Sequence, residues 1–328
     1  MSNKTIHWGI LGTGFIARKF AEDYRFVKEG KILAVASRSQ ERAEAFGKKY
    51  ELEHCYGSYQ SLLENPSIDA VYIATPHSQH YKNTQQALEQ GKAVLCEKPA
   101  AVNAGELKAM IELAETKKLL FMEAMWTSFL PAIQKARQWI DDGAIGKVRW
   151  IQASFGAHSE TNPGHRLYNP DLAGGALLDL GIYPLAFANK MTADTVSKVS
   201  AMSIMCETGV DETTTMLVQY RQGTLAQLNC SIKHTTDHTA IIYGSKGRIE
   251  IPDFWRASKA LLYSRDQKTP FQDDRASVGY HFEIEEMNRL LLENKKNSPV
   301  VPPSQSLTNM EILDECRRQI GLVYPFER

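Results

Sequence analysis

The sequence predicts an α/β fold: a doubly wound parallel sheet covered by helices, followed by a second, α+β domain with a predominantly antiparallel open sheet. Three observations carry this reading. Short apolar runs alternate with helical periodicity through the first third, a glycine turn follows the first run, and beyond residue 195 strand-like runs succeed one another through short turns. The length of 328 residues exceeds the roughly 250–300 at which one core stops growing, so two domains are expected, over 1–122 and 123–328.

In order, Ile6–Leu11 is a buried-strand run, and Phe15, Ile16, Phe20 and Ala21 then fall on one side of a helix. Ile32–Ala36 is a second strand, after which Ser39 caps a helix with Ala43, Phe46 and Tyr50 on one face. Asp69–Thr75 and Ala93–Cys96 are further strands, separated by a helix from about Gln79 that ends at Gly91. Asn103 and Glu106 have capping-box spacing ahead of Leu107, Met110, Ile111 and Ala114, and Leu119–Met122 is another short strand. Strand–helix alternation with right-handed crossovers gives a parallel sheet. The texture then changes. A helix starts at Pro131 and ends by Gly143, and strands follow over 196–206, 214–220, 224–230 and 239–243. Gly244-Ser245-Lys246-Gly247 turns the last of these into Arg248–Ile251. A final helix, capped by Ser306, aligns Ile312, Cys316 and Ile320 and is free to pack back on the first domain.

Lys plus Arg number 38 and Asp plus Glu 38, a net charge of zero. That balance lacks the field by which proteins bind duplex nucleic acid or anionic membranes, and neither partner is expected. No run approaches the roughly 20 apolar residues of a membrane span. The five cysteines (Cys55, Cys96, Cys206, Cys230, Cys316) are scattered, without C-x-x-C spacing, and read as reduced thiols. With no apolar signal segment at the start, a cytoplasmic protein is expected.

Gly12-Thr13-Gly14-Phe15-Ile16-Ala17 is G-x-G-x-x-A between a strand and a helix. The first glycine permits the turn, the second lets a pyrophosphate approach the backbone, and Ala17 lets helix and strand pack closely. With the helix N-terminus behind it, the turn predicts a dinucleotide-binding (Rossmann) domain. An NAD-preferring enzyme, like an adenosyl-methionine methyltransferase, places a carboxylate at the end of the second strand to hold the ribose. Here Ser37-Arg38 stands 26 positions after Gly12. Arg38 can pair with a 2′-phosphate and Ser37 can donate a hydroxyl, so NADP is favoured, NAD remains possible, and a methyltransferase is disfavoured. Thr75 to His80 (TPHSQH) follows the third strand at the ligand-binding sheet edge. His77 and His80 there serve as loop histidines touching cofactor or as plain polar residues; no metal is expected.

Glu97-Lys98-Pro99 closes the fourth strand, where a lysine reaches a cofactor ribose and a substrate hydroxyl. In Gly174–Pro184 (GGALLDLGIYP), Asp179 and Tyr183 are four apart and share a helix face, while Gly181 and Pro184 disfavour a plain helix, by roughly 1 and 3 kcal/mol respectively. Local rules broken beside polar residues point to a site.

Together these blocks, with Met122-Glu123-Ala124-Met125-Trp126-Thr127, resemble the glucose–fructose oxidoreductase/inositol dehydrogenase (Gfo/Idh/MocA) family. Within it they are most similar to the dimeric dihydrodiol dehydrogenases, a branch that includes D-xylose dehydrogenases. The likeness is dense over residues 6–190 and returns at 239–251. Much of the wider family has histidine where this chain and that branch have Tyr183. The resemblance implies a dehydrogenase acting on a cyclic polyol, either a sugar or a trans-dihydrodiol. It implies Gly12 to Ile16, Ser37, Arg38, Thr75, His77, His80, Glu97 and Lys98 as cofactor contacts. Lys98, Asp179 and Tyr183 become the catalytic set. Tyr183 is the expected base, its pKa of about 10 lowered by Lys98⁺, and Asp179 orients substrate or Lys98. Trp126 and Phe155 are the substrate-pocket aromatics, Arg149 is a weaker polar candidate, and Trp255 is either pocket or core. Family members associate through the second domain's open sheet, so a homo-oligomer, dimer or higher, is expected. The alternative is a non-catalytic NAD(P)-binding sensor of the same fold, which would have no need of all three catalytic residues.

Overall fold

The apolar runs of the first third become strands β1 (His7–Leu11), β2 (Lys31–Ala36), β3 (His54–Tyr56), β4 (Ala70–Ile73), β5 (Ala93–Glu97) and β6 (Phe121–Ala124) in a computed structural model that describes residues 5–265 and 267–327. All neighbours are parallel, in the order β3-β2-β1-β4-β5-β6. The order reverses between β1 and β4, which opens a crevice at the carboxyl edge of those two strands. Every residue of β4, β5 and β6 is buried, as a sheet covered on both faces requires. The covering helices are α1 (Phe15–Asp23), α2 (Gln40–Tyr50), α3 (Tyr59–Leu63), α4 (His80–Glu89) and α5 (Ala104–Lys117). Ser39 accepts from the Arg42 N–H to cap α2, and Asn103 accepts from the Glu106 N–H at 2.9 Å to cap α5. The three-residue β3 and five-residue α3 fall below the length at which periodicity can be read, so neither is legible in the sequence.

The chain divides into two compact units, one running to Trp126 and resuming over Ser277–Leu307, the other Thr127–Ala276 and Thr308 onward. The expected boundary at 122/123 is thus four residues early, and 277–307 belongs with the first unit. In that returning segment the helix His281–Leu292 is fastened by polar contacts. Asn288 Oδ1 accepts from Trp8 Nε1 at 2.8 Å, and the Val278, Gly279 and Tyr280 N–H groups donate to the buried Asp23 carboxylate at 3.1, 2.7 and 2.8 Å. The last helix, Pro303–Ile320, begins before Ser306, which is buried within it rather than capping it, and the helix is split between the units.

The second unit opens with α6 (Pro131–Asp141) and β7 (Val148–Gly156). A π-helical turn (Leu177–Gly181) leads into α7 (Ile182–Thr192). Then follow β8 (Val196–Met205), β9 (Asp211–Tyr220), β10 (Leu225–Ser231), β11 (Ala240–Gly244), β12 (Gly247–Ile251), β13 (Lys259–Ser264) and β14 (Gln267–Gln272). They form an eight-stranded sheet in the order β14-β13-β12-β11-β7-β10-β9-β8, antiparallel except where β7 and β10 pair in parallel. Ile151, Ala153, Ala226 and Leu228 are buried on the face that α7 covers. Register places Trp150, Leu217, Leu225, Met202 and Ile204 together on the other face, each 40–78% exposed. The helical stretch Pro170–Thr192 is long and apolar enough to cross a membrane, contrary to the expectation that no run approaches that length; it is instead the core of this unit, 89% buried.

Candidate active site

The glycine turn has the geometry its spacing predicts. Gly12 has φ +110°, and a Cβ there would lie 2.7 Å from the Ala74 carbonyl oxygen. A Cβ on Gly14 would meet nothing within 4 Å, so this side of the turn is open to a ligand. Ala17 is fully buried where α1 packs on the sheet. Gly14 begins α1 without a side-chain cap, leaving first-turn N–H groups for an anion. The turn forms one wall of a groove of about 880 Å³ whose other walls are Ser37–Ser39, α2 and Thr75–Pro76. Phe15, expected on the apolar face of its helix, is 66% exposed and lines this groove; Ile16 is not among its lining residues.

The groove is cationic. Arg38 lines it with Ser37, and so do Arg18, Arg42 and Lys49, while no carboxylate does. Arg42 stands four residues after Arg38, in the first turn of α2, and that spacing was the signal by which the sequence could have revealed it. A dinucleotide with an extra phosphate fits this set: helix N-terminus for the pyrophosphate, two arginines for the 2′-phosphate.

At the carboxyl edge of β4 and β5 the candidates separate. Asn83 donates to Thr75 Oγ1 at 3.0 Å, and Thr75 lines the groove. His80 is fully buried, with Nδ1 and Nε2 each 2.8 Å from a carbonyl oxygen, of Pro99 and Thr75. The ring is thus enclosed between the Thr75 loop and the Lys98–Pro99 loop, and in its neutral form it donates its single N–H to one of the two carbonyls. The two carbonyls favour the imidazolium, but burial outweighs them and takes the pKa to about 3. His77 is buried beside it, ring centroids 5.6 Å apart. Glu97 is tied to the same loop. Its carboxylate is buried, accepts from the Tyr72 hydroxyl on one oxygen and from the Lys98 N–H at 3.2 Å on the other, and so fixes the backbone that carries Lys98.

In the second unit Asp179 lies in the π-helical turn and Tyr183 in the first turn of α7, both largely buried. The turn accommodates the residues that disfavour a plain helix: a Cβ on Gly181 would sit 2.9 Å from Cys230 Sγ, and Pro184 falls where a missing N–H is tolerated. The Tyr183 ring meets Phe155 edge-on at 5.2 Å and Trp255 at 6.4 Å, and Phe155 and Trp255 stack at 4.8 Å. Trp255 thus belongs to the aromatic cluster. So does His238, which the sequence reading missed: its ring meets Phe155 at 5.0 Å, and its Nδ1 accepts from Trp255 Nε1 at 3.3 Å. Trp126 belongs to the first unit, 1% exposed and stacked on Tyr280 at 4.5 Å. Arg149 is six residues before Phe155 on β7, roughly 20 Å along the strand, and is not brought to the cluster. Asp179 has a partner that was not foreseen: Arg166 grips both of its oxygens, at 3.0 and 3.2 Å.

The doubly wound sheet, glycine turn and cationic groove define a dinucleotide-binding protein. Residues 6–125 match the family model of an oxidoreductase family with an NAD-binding Rossmann fold, and 133–250 match the GFO/IDH/MocA C-terminal domain. Trans-1,2-dihydrobenzene-1,2-diol dehydrogenases are full-length relatives: that of Bos taurus is 34% identical over 334 residues, covering 98% of this chain and 99% of its own, and that of Mus musculus is 35% identical over the same span. A 3-ketoreductase from Actinomadura kijaniata, solved with NADP and TDP-benzene, is 26% identical with a TM-score of 0.87 and covers 97% of this chain and 98% of its own. An aldose–aldose oxidoreductase from Caulobacter crescentus shares the fold, with a TM-score of 0.88 at 22% identity over 96% of this chain and 97% of that one. The chain belongs to the Gfo/Idh/MocA oxidoreductase family. It is an NAD(P)-dependent enzyme acting on CH–OH groups.

Proposed function

We propose that the protein oxidises a secondary alcohol of a cyclic polyol, a sugar or a trans-dihydrodiol, and prefers NADP. The observation that carries the substrate class is the Phe155–Trp255 stack set edge-on against Tyr183: flat apolar faces suit the C–H face of a ring, and the phenol supplies an oxygen beside them. Arg38 and Arg42 in a groove without lining carboxylates support NADP. Bound NADP supplies the hydride acceptor. The protein's part is the proton: the Tyr183 oxygen takes it from the substrate hydroxyl, and Lys98, at the carboxyl edge of β5, hydrogen-bonds the cofactor's ribose. Glu97 and His80 hold the Lys98 loop in shape.

The test is the absorbance of reduced nicotinamide when the protein is mixed with NADP⁺ or NAD⁺ and a panel of sugars and trans-diols. A rise that is faster with NADP⁺ is expected. No signal across the panel, with NADP still bound by calorimetry, would overturn the proposal in favour of a sensor. The exposed apolar face of the eight-stranded sheet supports a homodimer formed through it. Five unpaired thiols support a cytoplasmic setting, and zero net charge supports a small-molecule partner over nucleic acid or membrane.

A further inference from the structure

Asp179, expected to orient substrate, is the hidden member of its ion pair. Its side chain is 7% exposed, whereas that of Arg166 is 51% exposed. Nη1 and Nη2 of Arg166 donate to Oδ1 and Oδ2 of Asp179, a fork that fixes both the plane and the direction of the guanidinium. The Arg166 backbone is fixed as well. A Cβ on Gly174 would lie 2.6 Å from the Arg166 carbonyl oxygen and 2.7 Å from that of Leu167, so only glycine lets these segments touch. The Gly175 N–H then donates to the Leu167 carbonyl at 2.8 Å. The glycine pair that opens the π-helical turn therefore holds the Arg166 segment, and Asp179, one turn before Tyr183, holds its side chain.

We propose that Arg166, anchored by Asp179, is a substrate-binding residue that takes a hydroxyl neighbouring the one on which Tyr183 acts. This rests on the polyol-oxidation reading and narrows it. A guanidinium has donors only, so it recognises oxygen. Its charge is matched by Asp179, so it suits a neutral hydroxyl better than a carboxylate or phosphate. A sugar and a trans-1,2-diol both carry a hydroxyl vicinal to the reacting carbon, whereas a cyclic mono-alcohol does not, so the pair selects vicinal diols over mono-alcohols.

The test compares wild type with Arg166→Gln, Arg166→Lys and the double variant Arg166→Gln/Asp179→Asn, which leaves no unpaired buried charge. Calorimetry gives affinities for NADP and, on the NADP-bound enzyme, for the sugar that wild type uses best; kinetics give kcat and KM for that sugar, for a trans-dihydrodiol and for a cyclic mono-alcohol such as cyclohexanol. Arg166→Gln and the double variant are expected to weaken sugar binding and raise its KM roughly tenfold or more, the loss of one charge-assisted hydrogen bond. The kcat/KM for the trans-dihydrodiol, which shares the vicinal hydroxyl, should fall by a similar factor and that for the mono-alcohol should hold, with Arg166→Lys intermediate and NADP affinity unchanged. An equal loss for the mono-alcohol, or a fall in kcat with sugar KM unmoved, would overturn the proposal and leave Arg166 a scaffold for Asp179. If wild type oxidises nothing in the panel, the proposed function fails. The calorimetric comparison still decides Arg166, because sugar binding that is absent from wild type or unchanged in the variants overturns its role.

Discussion

Single residues carry the chemistry, and at this scale sequence legibility followed local spacing. Gly12, Ser37-Arg38, Lys98, Asp179 and Tyr183 stand at fixed offsets from strand ends or in a helical i,i+4 pair, so their positions could be read from order alone. Arg166 and His238 could not. Each belongs to an irregular segment, and its partner is fixed only by the fold, Asp179 across 13 residues and Trp255 across 17. Trp126 and Trp255 are the same residue type beside recognisable motifs, and only the fold tells their surroundings apart: Trp126 stacks on Tyr280 and Trp255 on Phe155. Replacing Tyr183 with Phe removes the proton acceptor and keeps the ring. Turnover should fall about 100-fold or more while calorimetric NADP affinity holds. Replacing Arg38 and Arg42 together with Ala should weaken NADP about 10-fold or more and leave NAD nearly unaffected, as measured by titrating each cofactor.

Elements longer than one helical period were legible, and the shortest were not: α2 and α5 had their caps written in sequence, whereas β3 and α3 offered three and five residues. The π-helical turn was visible only as broken rules at Gly181 and Pro184. Its stability depends on Asp211, whose buried carboxylate accepts from the Leu177 N–H at 2.8 Å and from Thr214 Oγ1 at 2.7 Å. Burial raises the Asp211 pKa from 3.8 to about 6 despite those bonds. A carboxyl with a raised folded-state pKa holds more protons folded than unfolded, so its contribution is full below about pH 4 and is lost as pH rises through about 6. Urea midpoints from pH 4.5 to 7 should therefore decline more for wild type than for Asp211→Asn. Equal slopes would place the charge elsewhere. Gly175→Ala tests the same junction, because its Cβ would come within 2.2 Å of Asp211 Oδ1 at a φ of +115°; a lower melting temperature is expected.

For the whole molecule, composition gave two domains and a class of partner but no address for either. Zero net charge coexists with a groove lined by four cationic side chains, because the balance is global and the binding is local. Introducing Glu at both Met202 and Leu217 places charge on the exposed sheet face. If that face joins two copies, light scattering should show the mass halved with cofactor affinity intact; an unchanged mass would exclude the face as the interface. The change of texture near residue 123 marked the first crossing between units, but nothing in the spacing of residues 277–307 marked the return. That return has a consequence for biosynthesis. The sheet of the first unit is complete once residue 124 has been made, yet the donors that meet Asp23 and the acceptor that meets Trp8 lie more than 150 residues later. At about 5–20 residues per second, a ribosome leaves the nascent cofactor unit unfinished for roughly ten to thirty seconds, while most of the second unit emerges. A chain stalled after residue 126 should accordingly be more protease-sensitive in its first unit than the same residues in the finished protein.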